Sequence, residues 1–368
     1  MELPQIDQYR RLFIDDTAML DVRAPVEFRQ GAFPHAVNMP LLNDGERQAV
    51  GLRYKEQGQN KAIELGHQLV SGAVKKQRVA DWIAFTKRHP QGVLYCFRGG
   101  MRSKISQQWI YDQIGITIPR VKGGYKALRN YLLNGLQNVM TQSNMVILGG
   151  RTGSGKTRLL QTLIQAVDLE RIFQHRGSAF GKYIHEQPSQ ISIENALAVK
   201  LLKLHHRAVR SIVVEDEAPN IGSRRIPDAM VQVMQQCTIV LLETAMADRV
   251  DNIFQEYIVQ SLADYQQTFG SHQGFQQWSG QLQQALARIQ KRLGGFCFKT
   301  ANAAMRAAFD EQRDHTPSPM HKTWIEMLLK QYYDPMYDFQ LSKKNEHVAF
   351  RGEPDAVRHY LQLHHGIG

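Results

Sequence analysis

The chain has 368 residues, room for two domains with a core each, and at 43% hydrophobic, 21% charged and 13 Pro it is neither disordered nor fibrous in composition. Three cysteines, at 96, 237 and 297, exclude a disulfide framework and a spaced zinc site, and point to a reducing cytoplasm. The excess of 45 Lys+Arg over 34 Asp+Glu calls for a polyanionic partner, while the charged start and the lack of an apolar run of roughly 18 residues argue against secretion or a membrane span.

In chain order, the first chemistry-bearing element is the β-like run Val93 to Cys96, which leads into the loop Phe97-Arg98-Gly99-Gly100-Met101-Arg102 and then a helix from Ser103. A thiol at a strand end before a helix is stabilised as thiolate by loop amides, the helix dipole, Arg98 and Arg102. Cys237 and Cys297, inside apolar sequence, read as small buried hydrophobes. Helical sequence from Tyr125 to Leu133 is followed by the polar stretch Asn134 to Asn144, which reads as a linker, so the domains are expected at 1–138 and 139–368. Residues 1–130 hold 20 Lys+Arg against 12 Asp+Glu, which places most of the positive excess in the first domain.

The second domain opens with the apolar strand Met145 to Leu148 and the loop Gly150-Arg151-Thr152-Gly153-Ser154-Gly155-Lys156-Thr157, a GxxxxGK[ST] pattern before the helix-like run Leu159 to Val167. Its glycines, Gly150, Gly153 and Gly155, let successive amides, with that of Ser154, face a phosphate. Lys156 adds charge and Thr157 can hold Mg²⁺. Further strands are expected at Ser211 to Val214, ending in Glu215-Asp216-Glu217, and at Thr238 to Leu242, as a mostly parallel sheet requires. Asp216 is the expected metal partner of Thr157. The phosphate could belong to ATP, to another diphosphate or to a ligand that is never hydrolysed.

Between those strands, Lys200, Lys203, Arg207 and Arg210 recur at i, i+3, i+7 and i+10, one helix face suited to RNA phosphates or simply to solvent. His175 and Arg176 could meet an anion, with Gly177, Ser178 and Ala179 allowing close approach. The Gln-dense stretch from Gln266 to Gln284 reads as a solvated helix. Trp324, Tyr332, Tyr333, Tyr337 and Phe339 could stack on bases or line an apolar slot, though such clusters are more often core. His364 and His365 have no metal spacing.

Leu20-Asp21-Val22-Arg23-Ala24-Pro25-Val26-Glu27-Phe28, Gly31 to Pro34 and Ala36 to Pro40 resemble the opening motif of rhodanese domains, and Val121-Lys122-Gly123-Gly124-Tyr125 resembles their closing motif. That resemblance implies sulfur or selenium carried on Cys96, with Asp21 and Arg23 as a structural ion pair. His35 stands where glycine is common. The Cys-x5-Arg spacing is one residue longer than in ordinary rhodanese loops and has the length seen in phosphatases of the same fold.

A rhodanese domain fused to a phosphate-loop domain resembles the tRNA 2-selenouridine synthase family. The likeness extends through His175 to Gly181, Gln187 to Gln190, Glu194-Asn195, Glu215 to Glu217 and Tyr332 to Tyr337. The expected architecture is therefore α/β: an N-terminal rhodanese-like domain with a parallel sheet, then a phosphate-loop α/β domain with a helical C-terminal part. The resemblance implies conversion of wobble 2-thiouridine in tRNA to 2-selenouridine with selenophosphate, through S-geranyl-2-thiouridine made from geranyl diphosphate. It also implies catalysis by Cys96, Arg98 and Arg102, and an enzyme supplying selenophosphate as a partner. The family's Ser-Arg after the acidic motif is replaced here by Ala218-Pro219, which leaves Arg224 and Arg225 as substitutes for tRNA contact. Competing expectations are a sulfurtransferase coupled to an ATPase or kinase, a Cys-dependent phosphatase, and an RNA-binding protein with a degenerate phosphate loop.

Overall fold

A computed structural model describes residues 2–312 and 317–368, leaving aside the side chains of 137, 138, 141 and 142. The chain divides into two compact units, one of Met1–Thr141 with Ser189–Arg207, the other of Gln142–Pro188 with Ala208–Gly368. Among the described residues, no helix is long and apolar enough to cross a membrane.

The first unit is built on five short strands, β1 (Gln5–Ile6), β2 (Met19–Asp21), β3 (Ala36–Asn38), β4 (Val93–Tyr95) and β5 (Arg120–Val121). All pairs are parallel, in the order β1-β5-β4-β2-β3. Met19, Leu20, Val93 and Leu94 are buried, as strands covered on both faces must be. The chain leaves β2 toward β3 on one side and leaves β4 toward β5 on the other. The carboxyl ends of these adjacent strands therefore flank the crevice at the switch point of the sheet, and Cys96 follows β4 there.

Two expectations about this unit are corrected. The stretch from Asn134 to Asn144 is not a linker, because the helix Gly124–Gln142 runs through it and reaches the next strand at Asn144. Its polar residues conceal an apolar stripe, Leu128, Leu132, Leu136 and Met140, all buried at helical spacing. The helix Gln190–His206 belongs to the first unit, not to a second domain running unbroken from 139. The Arg129 guanidinium meets the Glu194 carboxylate at 2.6 Å and Asn195 Oδ1 at 2.8 Å. Asn195 Nδ2 in turn donates to Ala32 O at 2.9 Å, and Ser192 Oγ accepts from Ala32 N at 3.0 Å.

The second unit carries β6 (Asn144–Gly149), β7 (Ala166–Val167), β8 (Ser211–Glu215), a hairpin of β9 (Asn220–Ile221) and β10 (Arg224–Arg225), β11 (Thr238–Leu242) and β12 (Val348–Gly352). Its five-stranded sheet is parallel in the order β12-β11-β6-β8-β7. The chain leaves β6 toward β7 and leaves β8 toward β11 on the opposite side, so the switch point lies between β6 and β8. The helix expected over Leu159 to Val167 stops early, at Lys156–Gln161. Thr162 donates its hydroxyl back to Leu159 O at 2.7 Å, and the buried pair Ala166-Val167 joins the sheet as β7. Helices from Met246 to Ser342 form a separate core around Trp278, Leu286, Met305 and Trp324. The Gln-dense stretch is helical but broken at Gly270, and it buries Trp278 and Leu282 rather than lying wholly in solvent.

Arg129→Ala removes the cation held between half-buried Glu194 and buried Asn195 and leaves both without it. Urea unfolding of the first unit should lose about 1–3 kcal/mol, and an unchanged midpoint would show that the helix is held by its apolar face alone.

Candidate functional site

Cys96 is buried, with Sγ 3.2 Å from Ser103 Oγ and 3.9 Å from Gly100 O. The segment after β5 clamps its loop: Tyr125 N donates to Cys96 O at 2.9 Å and Lys126 N to Phe97 O at 3.0 Å. Gly124 has φ +59, and a Cβ there would fall 2.2 Å from Cys96 O, so only glycine allows the approach.

Arg102 forms a two-pronged pair with Glu27, at 2.5 and 3.0 Å, and Arg47 also reaches Glu27 at 3.3 Å. Burial opposes the charge on Glu27, but Arg102 outweighs it and holds the carboxyl below its usual range. Arg98 is exposed on the loop. The two arginines therefore differ, Arg102 being bound to a carboxylate and Arg98 open to an incoming anion. Asp21 and Arg23 are fully buried against each other, at 2.6 Å, with the guanidinium 3.8 Å from the Tyr125 ring centroid. His35 takes the left-handed φ of +63 that glycine would take, and its Nε2 meets Asp16 at 2.9 Å.

In the second unit, the loop from Gly150 to Thr157 follows β6 at the switch point, with Gly153 at φ +80 and Gly155 at φ +86. Side chains from outside fix its backbone. Arg249 Nε donates to Thr152 O at 2.9 Å while its guanidinium pairs with Asp334, Asn252 Nδ2 donates to Gly153 O at 2.9 Å, and Thr244 Oγ1 donates to Ser154 O at 2.8 Å. Lys156 Nζ donates to Gly150 O at 2.9 Å, across the mouth of the loop. The helix that starts at Lys156 has only six residues, so the loop amides and Lys156 carry more of any anion binding than a long helix dipole would.

A cavity of about 550 Å³ opens beside this loop. One wall is acidic. Glu170, Glu215 and Glu217 bring carboxylate oxygens within 4.8 Å of one another, and Glu215 Oε1 is buried without a hydrogen-bond partner. Burial first, and repulsion by neighbouring carboxylates second, push all three pKa values up, that of Glu217 to about 8. The cavity is also lined by the apolar side chains of Ile226, Val231, Met234, Ile239 and Met336.

Asp216, the expected metal partner of Thr157, lies instead 2.5 Å from Lys344 Nζ. Extended backbone alternates its side chains, so Glu215 and Glu217 share one side and Asp216 takes the other. Thr157 Oγ1 lies 3.4 Å from Glu170 Oε2. Glu170 escapes a sequence reading because β7, which delivers it, has only two residues. The signal it leaves is the helix cap at Asp168, whose carboxylate accepts from Arg171 N.

Arg176 also borders the cavity, stacked over Tyr183 and Tyr257 at 4.3 and 5.1 Å from their ring centroids, and His175 beside it is buried. A Cβ on Gly177 would fall 2.6 Å from Glu217 Oε2. The aromatics divide: Trp324 and Tyr333 are core, Tyr333 and Tyr337 reach the cavity, Tyr332 packs against the core, and Phe339 is exposed under Lys343.

The basic stripe does not survive as one helix face. The helix ends at His206, Arg207 caps it, Ala208 turns left-handed at φ +51, and Arg210 falls beyond in the second unit. Lys203 pairs with Asp16 and Lys200 is half-buried, whereas Arg207 and Arg210 are exposed. Arg224 Nε donates to Pro188 O at 2.7 Å, and Arg225 meets Asp228 at 2.8 Å. Cys237 and Cys297 are half-buried, Cys237 Sγ lying 3.1 Å from Val233 O.

A family model described as the tRNA 2-selenouridine synthase AAA domain matches residues 143–366. Among curated proteins, the tRNA 2-selenouridine synthase of Pseudomonas putida (strain GB-1) is 47% identical over 359 residues, covering 98% of this chain and 97% of its own. That of Ectopseudomonas mendocina (strain ymp) is 48% identical over 358 residues, covering 97% and 96%.

Because the folded pKa of Glu217 lies far above the ordinary 4.5, its contribution to stability is present in acid and is lost as pH rises toward 8. Without divalent cations, the second unit should melt lower at pH 8 than at pH 5, by roughly 3 °C for each kcal/mol of repulsion, and Mg²⁺ should restore it at pH 8. Glu217→Gln should flatten the pH profile and weaken the Mg²⁺ response. A wild-type profile already flat without Mg²⁺ would contradict the repulsion.

Proposed function

The chain belongs to the tRNA 2-selenouridine synthase family and is an enzyme of that activity, using tRNA and a selenium donor, and from this premise we propose a division of labour between its two units. The second unit alkylates the sulfur of wobble 2-thiouridine with geranyl diphosphate. The first, working as a rhodanese-like domain, frees selenium from selenophosphate: the Cys96 thiolate attacks phosphorus and releases hydrogen selenide, which adds at C2 of the modified base as the alkylated sulfur leaves as a thiol, and water hydrolyses the phosphocysteine to return Cys96 and phosphate. Thiolate is a poor leaving group from the pyrimidine, whereas an alkylated sulfur departs as a thiol once selenium has added at C2.

The observation that carries this reading is the cavity that joins the Gly150–Thr157 loop to apolar side chains. A prenyl diphosphate has the same two halves. The loop amides and Lys156 would hold the diphosphate and stabilise the charge that grows on it as the carbon–oxygen bond breaks, while Ile226, Met234 and Met336 would take the chain. The orphaned oxygen of Glu215 and the mutual repulsion of three glutamates fit a cation. Glu170, Glu215 and Glu217, beside Thr157, would hold Mg²⁺, with Asp216 left to Lys344. When bound, that ion would neutralise the diphosphate.

In the first unit, Arg98 would bind the anionic donor and Arg102, fixed by Glu27, would set the field at Cys96. Exposed Arg207 and Arg210 remain the best placed of the six basic residues for tRNA phosphates, with Lys203 engaged by Asp16.

The test is nucleoside mass spectrometry after incubation with thiolated tRNA, geranyl diphosphate and selenophosphate. Cys96→Ala should abolish 2-selenouridine and let S-geranyl-2-thiouridine accumulate. Lys156→Ala should cut geranylation on the order of 10²-fold or more. If geranyl diphosphate is inert and turnover follows ATP, the loop serves a nucleotide and the division fails.

A further inference from the structure

A second large cavity, of about 530 Å³, lies wholly within the first unit, beside the Cys96 loop. Gly100, whose carbonyl is 3.9 Å from Cys96 Sγ, is part of its wall, and so are Met101 and Ile105 from the helix that follows. The far wall comes from the helical segment Asp44–Leu69, which is folded back on itself. Gly58, at φ +81 and ψ −177, breaks it, and a Cβ on Gly66 would lie 3.9 Å from the Val50 side chain. On a straight helix those two positions would stand about 24 Å apart.

The lining is mostly apolar, with Gln59 and His67 the polar residues contributed by the folded-back segment. Val50, Ala62, Ile63 and Val70 supply the depth, and the guanidinium-bearing residues Arg98 and Arg102 belong to the same wall as Gly100. Tyr54 and Met101, both on the lining, are 57% and 43% exposed. Large apolar side chains left in water around a cavity mark a surface that a ligand covers.

Selenophosphate, a small anion, has no use for such a space, and the selenide released from it beside Cys96 has none either. The tRNA substrate brings phosphates for Arg98 and the reacting base to Cys96, but an unmodified base leaves the apolar depth empty. A base that arrives with a prenyl chain on its sulfur fills it. We propose that this cavity is a second prenyl-binding site, separate from the diphosphate cavity, which grips the chain of the S-prenylated nucleoside and so positions C2 beside Cys96. The inference rests on the prenyl intermediate proposed above, and it assigns Ile63 and Tyr54 as positioning residues for the selenation step.

The test uses the full-length protein, selenophosphate and synthetic anticodon stem-loops that already carry S-geranyl- or S-methyl-2-thiouridine, so that no geranylation is needed. Wild type should favour the geranyl RNA through KM by tenfold or more. Ile63→Asp, and independently Tyr54→Asp at the exposed mouth, should erase that preference, while Ile63→Leu keeps it. Geranylation of 2-thiouridine RNA from geranyl diphosphate should be unchanged in all three, which shows that the chain is folded. Equal KM values for the two RNAs in the wild type, or a preference that survives both aspartates, would overturn the site. If the wild type discriminates the two RNAs yet makes no geranylated RNA from geranyl diphosphate, the site stands and the proposed alkylation step falls.

Discussion

Parallel pairing makes every strand of a sheet end on the same edge, and where adjacent strands send their connections opposite ways the chain must open a crevice. Both units obey this constraint, and both candidate loops are found there. Cys96 leaves β4 beside the end of β2, and the Gly150–Thr157 loop leaves β6 beside the end of β8. Backbone groups at such an edge have no ladder partners. In the first unit the amides of Tyr125 and Lys126 take up the carbonyls of Cys96 and Phe97, while in the second Asn252, Thr244 and Arg249 take up the loop carbonyls. Carbonyls are thus engaged from behind, and of the amides expected to face a phosphate that of Ser154 is taken by Arg151 O at 3.0 Å.

The two crevices solve opposite electrostatic problems. Beside Cys96 the charge is positive and partly balanced, because Glu27 engages Arg102 while Arg98 stays open. Beside Lys156 three glutamates crowd together, Glu215 fully buried and Glu170 and Glu217 partly so. An anion entering the second crevice makes that imbalance worse unless a cation comes with it or the carboxyls keep their protons. The first crevice attracts an anion unaided.

Much of this was legible in the sequence. Short apolar runs ending in glycine-rich loops can hardly be anything but buried parallel strands, and positive-φ glycines mark close backbone approach. What escaped was whatever depends on partners distant in the chain. Ile193, Leu197, Leu201 and Leu204 announce a buried helix but not which unit buries it, and Asn195 and Arg129 decide that. Polar residues between Asn134 and Asn144 hid a stripe that only helical phase exposes. In Glu215-Asp216-Glu217 the middle residue drew attention as the metal partner, yet alternation along extended chain gives the outer two to the cluster with Glu170.

On the proposed division of labour, the Gly150–Thr157 loop is needed only to make an alkylated base and the Cys96 loop only to replace its sulfur. Supplying Lys156→Ala protein with tRNA that already carries S-geranyl-2-thiouridine, together with selenophosphate, isolates the second step. 2-Selenouridine should then form at the wild-type rate. Selenation lost along with Lys156 would contradict that division, because the loop would then be required at the selenium step itself.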